Sequence, residues 1–135
     1  AGSAIVCDAR GIDVFGAEPE MADDAYRSLT SGERVVTHVP NTIADGLLTT
    51  LGERNFDIIK DKVDDILLVS ETEIVDAMSL LWTRMKIVVE PSAAVTLAAI
   101  LRYADRFAGK RVGAILTGGN VDLGHLPFTS SESTD

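Results

Sequence analysis

The chain has 135 residues, 12 of them Lys or Arg and 21 Asp or Glu, for a formal net charge of −9 and a pI near 4.6. Apolar residues make up 46% and mean hydropathy is +0.18, enough for one core of the commonest single-domain size. The acidity argues against nucleic-acid and anionic-membrane partners, which need a basic face. No run nears the roughly 20 apolar residues of a membrane span, and no basic segment leading into an apolar stretch marks a signal peptide. Cys7 is the lone cysteine, so no internal disulfide forms and a reducing, cytoplasmic compartment is expected.

In chain order, Ala1 to Val6 are small or apolar, with no capping signal and no initiating Met, and read as the interior of a longer polypeptide. Residues 3–9 read as the tail of a helix that Arg10-Gly11 ends. Residues 12–17 alternate and then turn small, predicting a short strand that stops by Glu18, because Pro19 has no N–H for a ladder. A helix is expected over 22–29, with Asp23 and Asp24 in its first turn and Ser31-Gly32 after it. Residues 33–54 have weak periodicity and read as a long structured loop with a short helix at 43–50.

Phe56, Ile59 and Val63 mark an amphipathic helix, and residues 65–69 a strand buried on both faces. Ser70 and Glu73 form a capping box for a helix whose stripe is Ile74, Met78, Leu81 and Met85. Pro91 opens a second, Ala-rich helix running to about Phe107, with Gly109 ending it. Residues 111–116 predict a third strand leading into Thr117-Gly118-Gly119-Asn120. Strands separated by helices imply parallel pairing: an α/β, three-layer sandwich with a mostly parallel sheet. Residues 1–123 form the domain and 124–135 a polar, disordered tail.

Three constellations are candidates for chemistry. Thr117-Gly118-Gly119 lies beyond a strand end, where open α/β sheets bind ligands. Its glycines permit close approach and its hydroxyl suits a ring nitrogen, although the local pattern alone favours a plain Gly-Gly turn after a strand. Glu18 and Asp24 flank a turn with a carbonyl between them, the oxygen-rich set that hard divalent cations take. The spacing alone favours Asp23 and Asp24 capping a helix with Glu18 solvated. Glu90 stands between a buried run and a helix start, where a carboxyl can tune a cofactor, although the local pattern alone favours its holding the helix end. His38 and His125 spell no zinc site, and G-x-S-x-G, Walker and G-x-G-x-x-G motifs are absent.

Five segments, in order and spacing, resemble one family: Gly16-Ala17-Glu18-Pro19-Glu20-Met21-Ala22-Asp23-Asp24-Ala25, Pro40-Asn41-Thr42-Ile43-Ala44-Asp45-Gly46, Val63-Asp64-Asp65-Ile66, residues 84–92 around Lys86 and Glu90, and Thr117-Gly118-Gly119-Asn120-Val121-Asp122. They look like the C-terminal half of serine racemase and the degradative serine/threonine dehydratases, pyridoxal-phosphate enzymes of fold type II. The resemblance implies part of a cofactor-binding large domain. Thr117, Gly118, Gly119, Glu90 and Gly46 would face pyridoxal 5'-phosphate, with Thr117 on its ring nitrogen. Glu18, Asp24 and the Ala22 carbonyl would hold magnesium, calcium or manganese, and Lys86 and Asn120 would meet ATP. It implies ammonia elimination from a small β-hydroxy amino acid, with racemisation, in a homodimer. The cofactor-carrying lysine is expected N-terminal to this segment, which leaves the 135-residue chain inactive alone. The alternative is a non-catalytic module that pairs with a separate lysine-bearing chain.

Overall fold

The structure, a computed structural model, describes residues 1–129. Its helices are α1 (Gly2–Asp8), α2 (Asp24–Ser31), α3 (Glu53–Lys62), α4 (Glu71–Leu80), α5 (Pro91–Arg102) and α6 (Ala104–Phe107), and its strands β1 (Phe15–Pro19) and β2 (Asp65–Val69). A single 3-10 turn at Asp45–Leu47 is all that forms of the helix expected over 43–50. No helix among the described residues is long and apolar enough to cross a membrane.

The two strands pair in parallel, from Phe15 opposite Asp65 to Pro19 opposite Val69. Pro19 therefore belongs to β1, where the sequence pattern predicts an end at Glu18. The Glu20 N–H donates to the Val69 carbonyl at 2.8 Å, so even-numbered residues of β1 face β2 and the nitrogen of Pro19 faces away, where no ladder bond is lost. Residues 111–116, expected as a third strand, run without ladder bonds, and most of their side chains are exposed. Among the described residues the sheet thus has two hydrogen-bonded strands. One helical layer, α1, α2 and α3, packs together on one side, with α2 against β2; α4 and α5 form the other, with α5 against both strands.

The core lies between the sheet and α4/α5. Val69, Ile74 and Met78 are fully buried, and Ala77 of α4 meets the run of Ala93, Ala94, Ala98 and Ala99 in α5, whose missing bulk lets the two helices approach closely. The capping box forms as expected. The Glu73 N–H donates to Ser70 Oγ at 3.3 Å, and the Ser70 N–H donates to Glu73 Oε2 at 2.7 Å. Past Leu80 the helix widens into a π turn at Leu81–Met85, which rotates Met85 off the apolar stripe and leaves it 59% exposed. The second long helix breaks at Tyr103, whose hydroxyl donates to the Leu68 carbonyl at 3.1 Å, and restarts as α6.

Residues 124–129, counted in the polar tail, contain Leu126 and Phe128, both packed against the core. Phe128 meets Trp82 edge-on with ring centroids 5.7 Å apart. The rest of the tail, 130–135, lies outside the described residues.

Candidate functional site

The first turn of α5 gathers most of the residues singled out in the sequence. Proline at N1 starts the helix, and Glu90 is its N-cap in extended backbone. The Glu90 carboxylate does not bond its own helix. It accepts the Asn120 N–H at 2.9 Å, while the Glu90 N–H donates to the Gly118 carbonyl at 3.1 Å. The 118–120 backbone is thereby laced to the helix start.

Gly119 is sterically required: a β-carbon there would lie 2.9 Å from the Val88 carbonyl oxygen, which is backbone. One on Gly118 would meet the end of the Glu90 side chain, which would have to shift. A turn exposed to solvent would need no glycine at 119. Thr117, immediately before the two glycines, is exposed, and its hydroxyl has no hydrogen-bond partner among the described residues.

Gly46 reaches the same turn from the 3-10 element. Its N–H donates to Ser92 Oγ at 3.0 Å, and that hydroxyl lies 3.5 Å from Asp45 Oδ1. The sequence pattern gives Ser92 no role. Its contact spans 46 positions, so no local pattern carries it; only its place directly after the N1 proline hints that its side chain faces the helix mouth.

The carboxylates at the end of β1 form a second cluster. Glu18 is not solvated, contrary to the spacing-based reading. It is half-buried and caps α2 from the strand, accepting the Tyr26 N–H at 2.8 Å and the Ala25 N–H at 3.3 Å. Asp23 is the N-cap, with its side chain turned to Arg27 instead (2.8 Å). Asp24 is 3% exposed and accepts the Leu51 N–H at 2.8 Å, tying the 33–52 loop to α2. Ala22 is buried beside them.

Burial pushes the Glu18 carboxyl up from 4.5 to about 7. Asp24 and, less strongly, Asp23 push the same way, against the two backbone donors. No group of three or more His, Cys, Asp or Glu side chains suited to a metal occurs among the described residues. The expected set of two carboxylates and one carbonyl is smaller than that. Its donors are the hard oxygens a divalent cation takes, and the mutual repulsion of Glu18 and Asp24 is what such a cation would relieve.

The remaining candidates stand apart. Lys86 is exposed with left-handed backbone (φ 59°) after the π turn, and no hydrogen bond joins it to Asn120. His38 Nδ1 lies 3.1 Å from Arg27, and His125 pairs with Asp122 at 2.8 Å; neither approaches a metal set.

A family model described as pyridoxal-phosphate dependent enzyme matches residues 1–118. A beta-hydroxyaspartate dehydratase of Paracoccus denitrificans is 53% identical over 115 residues, 85% of this chain and 36% of that protein. A serine racemase of Dictyostelium discoideum is 57% identical over 120 residues, 85% of this chain and 37% of its own length. The crystal structure of serine racemase from that organism superposes with a TM-score of 0.82 at 54% identity, over 90% of this chain and 40% of the other. The crystal structure of a T.th. threonine deaminase does so at 0.84 and 45% identity, over 90% and 45%. The chain thus spans little more than a third of the length of the curated relatives it matches, and its α/β architecture with a parallel sheet matches that of fold type II pyridoxal-phosphate enzymes. With the family model covering 118 of 135 residues, the chain belongs to the pyridoxal-phosphate-dependent enzyme family.

Proposed function

We propose that this chain is the C-terminal portion of a pyridoxal-phosphate-dependent ammonia-lyase. Its substrate would be a small β-hydroxy amino acid (serine, threonine or 3-hydroxyaspartate), its products ammonia and a 2-oxo acid, with racemisation as a second outcome. The observation that carries the reading is Thr117: a neutral, unpartnered hydroxyl at the end of the 111–116 segment, beside a Gly-Gly backbone held against Glu90. The names of the relatives support the same reaction class.

The residues present fit the cofactor: the exposed, unpartnered Thr117 hydroxyl, next to a Gly-Gly backbone that carries no side chains of its own, suits an aromatic nitrogen heterocycle. When bound, pyridoxal phosphate supplies the electron sink for cleavage at the α-carbon. Thr117 would donate a hydrogen bond from its hydroxyl to the ring nitrogen and, carrying no charge, would leave that nitrogen unprotonated. Glu90 holds the 118–120 backbone in place beside the ring, and Gly46, fixed by Ser92, lines the carbonyl side. Glu18, Asp24 and the Ala22 carbonyl bind magnesium, calcium or manganese and brace the start of α2, while Lys86 and Asn120 are assigned to ATP. The lysine that takes the α-proton comes from the remainder of the polypeptide, so residues 1–123 act as part of a homodimeric, cytoplasmic enzyme and the 135-residue chain alone is inactive.

The test uses the polypeptide from the complete reading frame, offered L-serine, L-threonine and threo-3-hydroxyaspartate, with ammonia and 2-oxo acid measured. Thr117→Ala should weaken cofactor retention roughly fivefold, the value of one hydrogen bond of about 1 kcal/mol. Unchanged retention and unchanged rates in that variant overturn the role of Thr117. Retention of the cofactor by the purified 135-residue chain after gel filtration contradicts the assignment of the lysine elsewhere.

A further inference from the structure

The π turn at Leu81–Met85 plays no part in the site described so far, yet such widened turns are rare and frequently mark functional places. It ends at Lys86, whose left-handed backbone (φ 59°, ψ 36°) reverses the chain. The Ile87 N–H then reaches the Leu81 carbonyl at 3.4 Å, and Val89 comes beside Trp82, seven positions earlier.

The reversed segment has little of its own to hold it. Lys86, Ile87 and Val88 are exposed, and Val89 alone is buried. Among the described residues, one side chain hydrogen-bonds the 86–89 backbone: the Trp82 indole, whose Nε1–H donates to the Val89 carbonyl at 2.9 Å. The indole is itself fixed. Its rings pack against the core, and Phe128 meets them edge-on. A half-buried indole N–H takes some acceptor in any protein; what matters here is which carbonyl it takes.

The same short segment carries the glycine turn. The Val88 carbonyl oxygen is the atom that excludes a β-carbon at 119. The Glu90 N–H donates to the Gly118 carbonyl, and the Glu90 carboxylate accepts the Asn120 N–H. The contacts alternate as in extended backbone: Val88 and Glu90 face the turn, and Val89 between them faces Trp82. Three successive residues thus join the indole to the backbone that follows Thr117.

We infer that Trp82 is a positioning residue for the Thr117–Asn120 turn. Its N–H pins the Val89 carbonyl, which fixes the 88–90 backbone on which the turn is laid, and with it the Thr117 hydroxyl. The π turn and the left-handed Lys86 are what bring indole and carbonyl together. Phe128, packed on the indole, makes residues 124–129 part of the same support. The effect on the turn is independent of the reaction; the effect on the cofactor rests on the Thr117 hydroxyl meeting the ring nitrogen.

Trp82→Phe keeps a ring for Phe128 and the core and removes the N–H. Amide exchange by NMR, on the polypeptide from the complete reading frame without cofactor, reads the turn. The Glu90 and Asn120 amides should exchange about fivefold faster, as the loss of one hydrogen bond implies. The Tyr26 and Ile74 amides, held by Glu18 and by the Ser70 carbonyl, should keep their wild-type rates. A benzothienyl analogue of tryptophan at position 82, with the same two-ring shape and no N–H, should give the same result with packing intact. Unchanged Glu90 and Asn120 rates, or rates raised equally at all four amides, overturn the proposal, since the indole would then act by packing alone. Retention of pyridoxal phosphate through gel filtration is compared in Trp82→Phe and Thr117→Ala, and both should lose it. Loss in Thr117→Ala with full retention in Trp82→Phe also overturns the proposal. Faster exchange at Glu90 and Asn120 with full retention in both variants upholds the hold of Trp82 on the turn and refutes Thr117 as the partner of the ring.

Discussion

Glu18 gives the sharpest stability prediction. Burial holds its carboxyl near 7 in the folded chain against 4.5 when free. A carboxyl raised in this way takes up a proton on folding, so its contribution is fully present below pH 4.5 and is lost as pH rises through 7. The gap corresponds to about 3.5 kcal/mol, at about 1.4 kcal/mol per tenfold change in proton affinity. Glu18→Gln keeps an acceptor for the Tyr26 N–H and removes the titration. Urea unfolding of the 135-residue chain, followed by the fluorescence of its single tryptophan, Trp82, supplies the free energies. Between pH 5 and 8 the wild-type chain should lose about 2.5 kcal/mol relative to Glu18→Gln. Parallel pH profiles for the two proteins would refute the reasoning, because they would mean that Glu18 is ionised at no cost in the folded state.

Four further outcomes are expected. Millimolar magnesium or manganese at pH 8 should stabilise the wild-type chain and leave Glu18→Gln unchanged, as thermal melts would show. Gly119→Ala should destabilise by about 1–3 kcal/mol in urea titration, because its β-carbon would meet the Val88 carbonyl oxygen, a backbone atom. Met78→Ala, at a fully buried position between α4 and α5, should cost about 2–5 kcal/mol in urea titration. Ser70→Ala, which removes the capping box, should cost about 1 kcal/mol and hasten amide exchange in the first turn of α4.

Signals confined to a few neighbouring residues were legible in the sequence. Ser70 and Glu73 announced α4, Pro91 the start of α5, the apolar run at 65–69 a buried strand, and Gly32, with φ 76°, the end of α2. Features that depend on a distant partner were not. Residues 111–116 carry a strand-like pattern, but a ladder needs a neighbour that local pattern cannot supply. Pro19 is tolerated in β1 because its nitrogen faces away from β2, a matter of register. Tyr103 interrupts the second long helix by bonding a carbonyl 35 positions earlier, and the π turn swings Met85 outward although its spacing from Leu81 suits the core. At the candidate site the glycines and Glu90 stood out as types. That Glu90 grips the Asn120 amide and that Ser92 anchors Gly46 emerged only from the fold.

The far end of α5 carries a constraint of its own. Arg102 bridges Glu20, just past β1, at 2.6 Å and Glu73, in the first turn of α4, at 3.0 Å. Such half-exposed pairs add little to stability, yet together with Glu90 and Ser92 at the opposite end they fasten the helix like a beam clamped at both supports. Sliding it along its axis would break contacts at the two ends at once. The 33–52 loop is held differently, by separate contacts spread along its length: Val35 to Ser28, His38 to Arg27, Asn41 to Met21, Ile43 to Glu71, Gly46 to Ser92 and Leu51 to Asp24, so that it can yield at one point while α5 stays fixed.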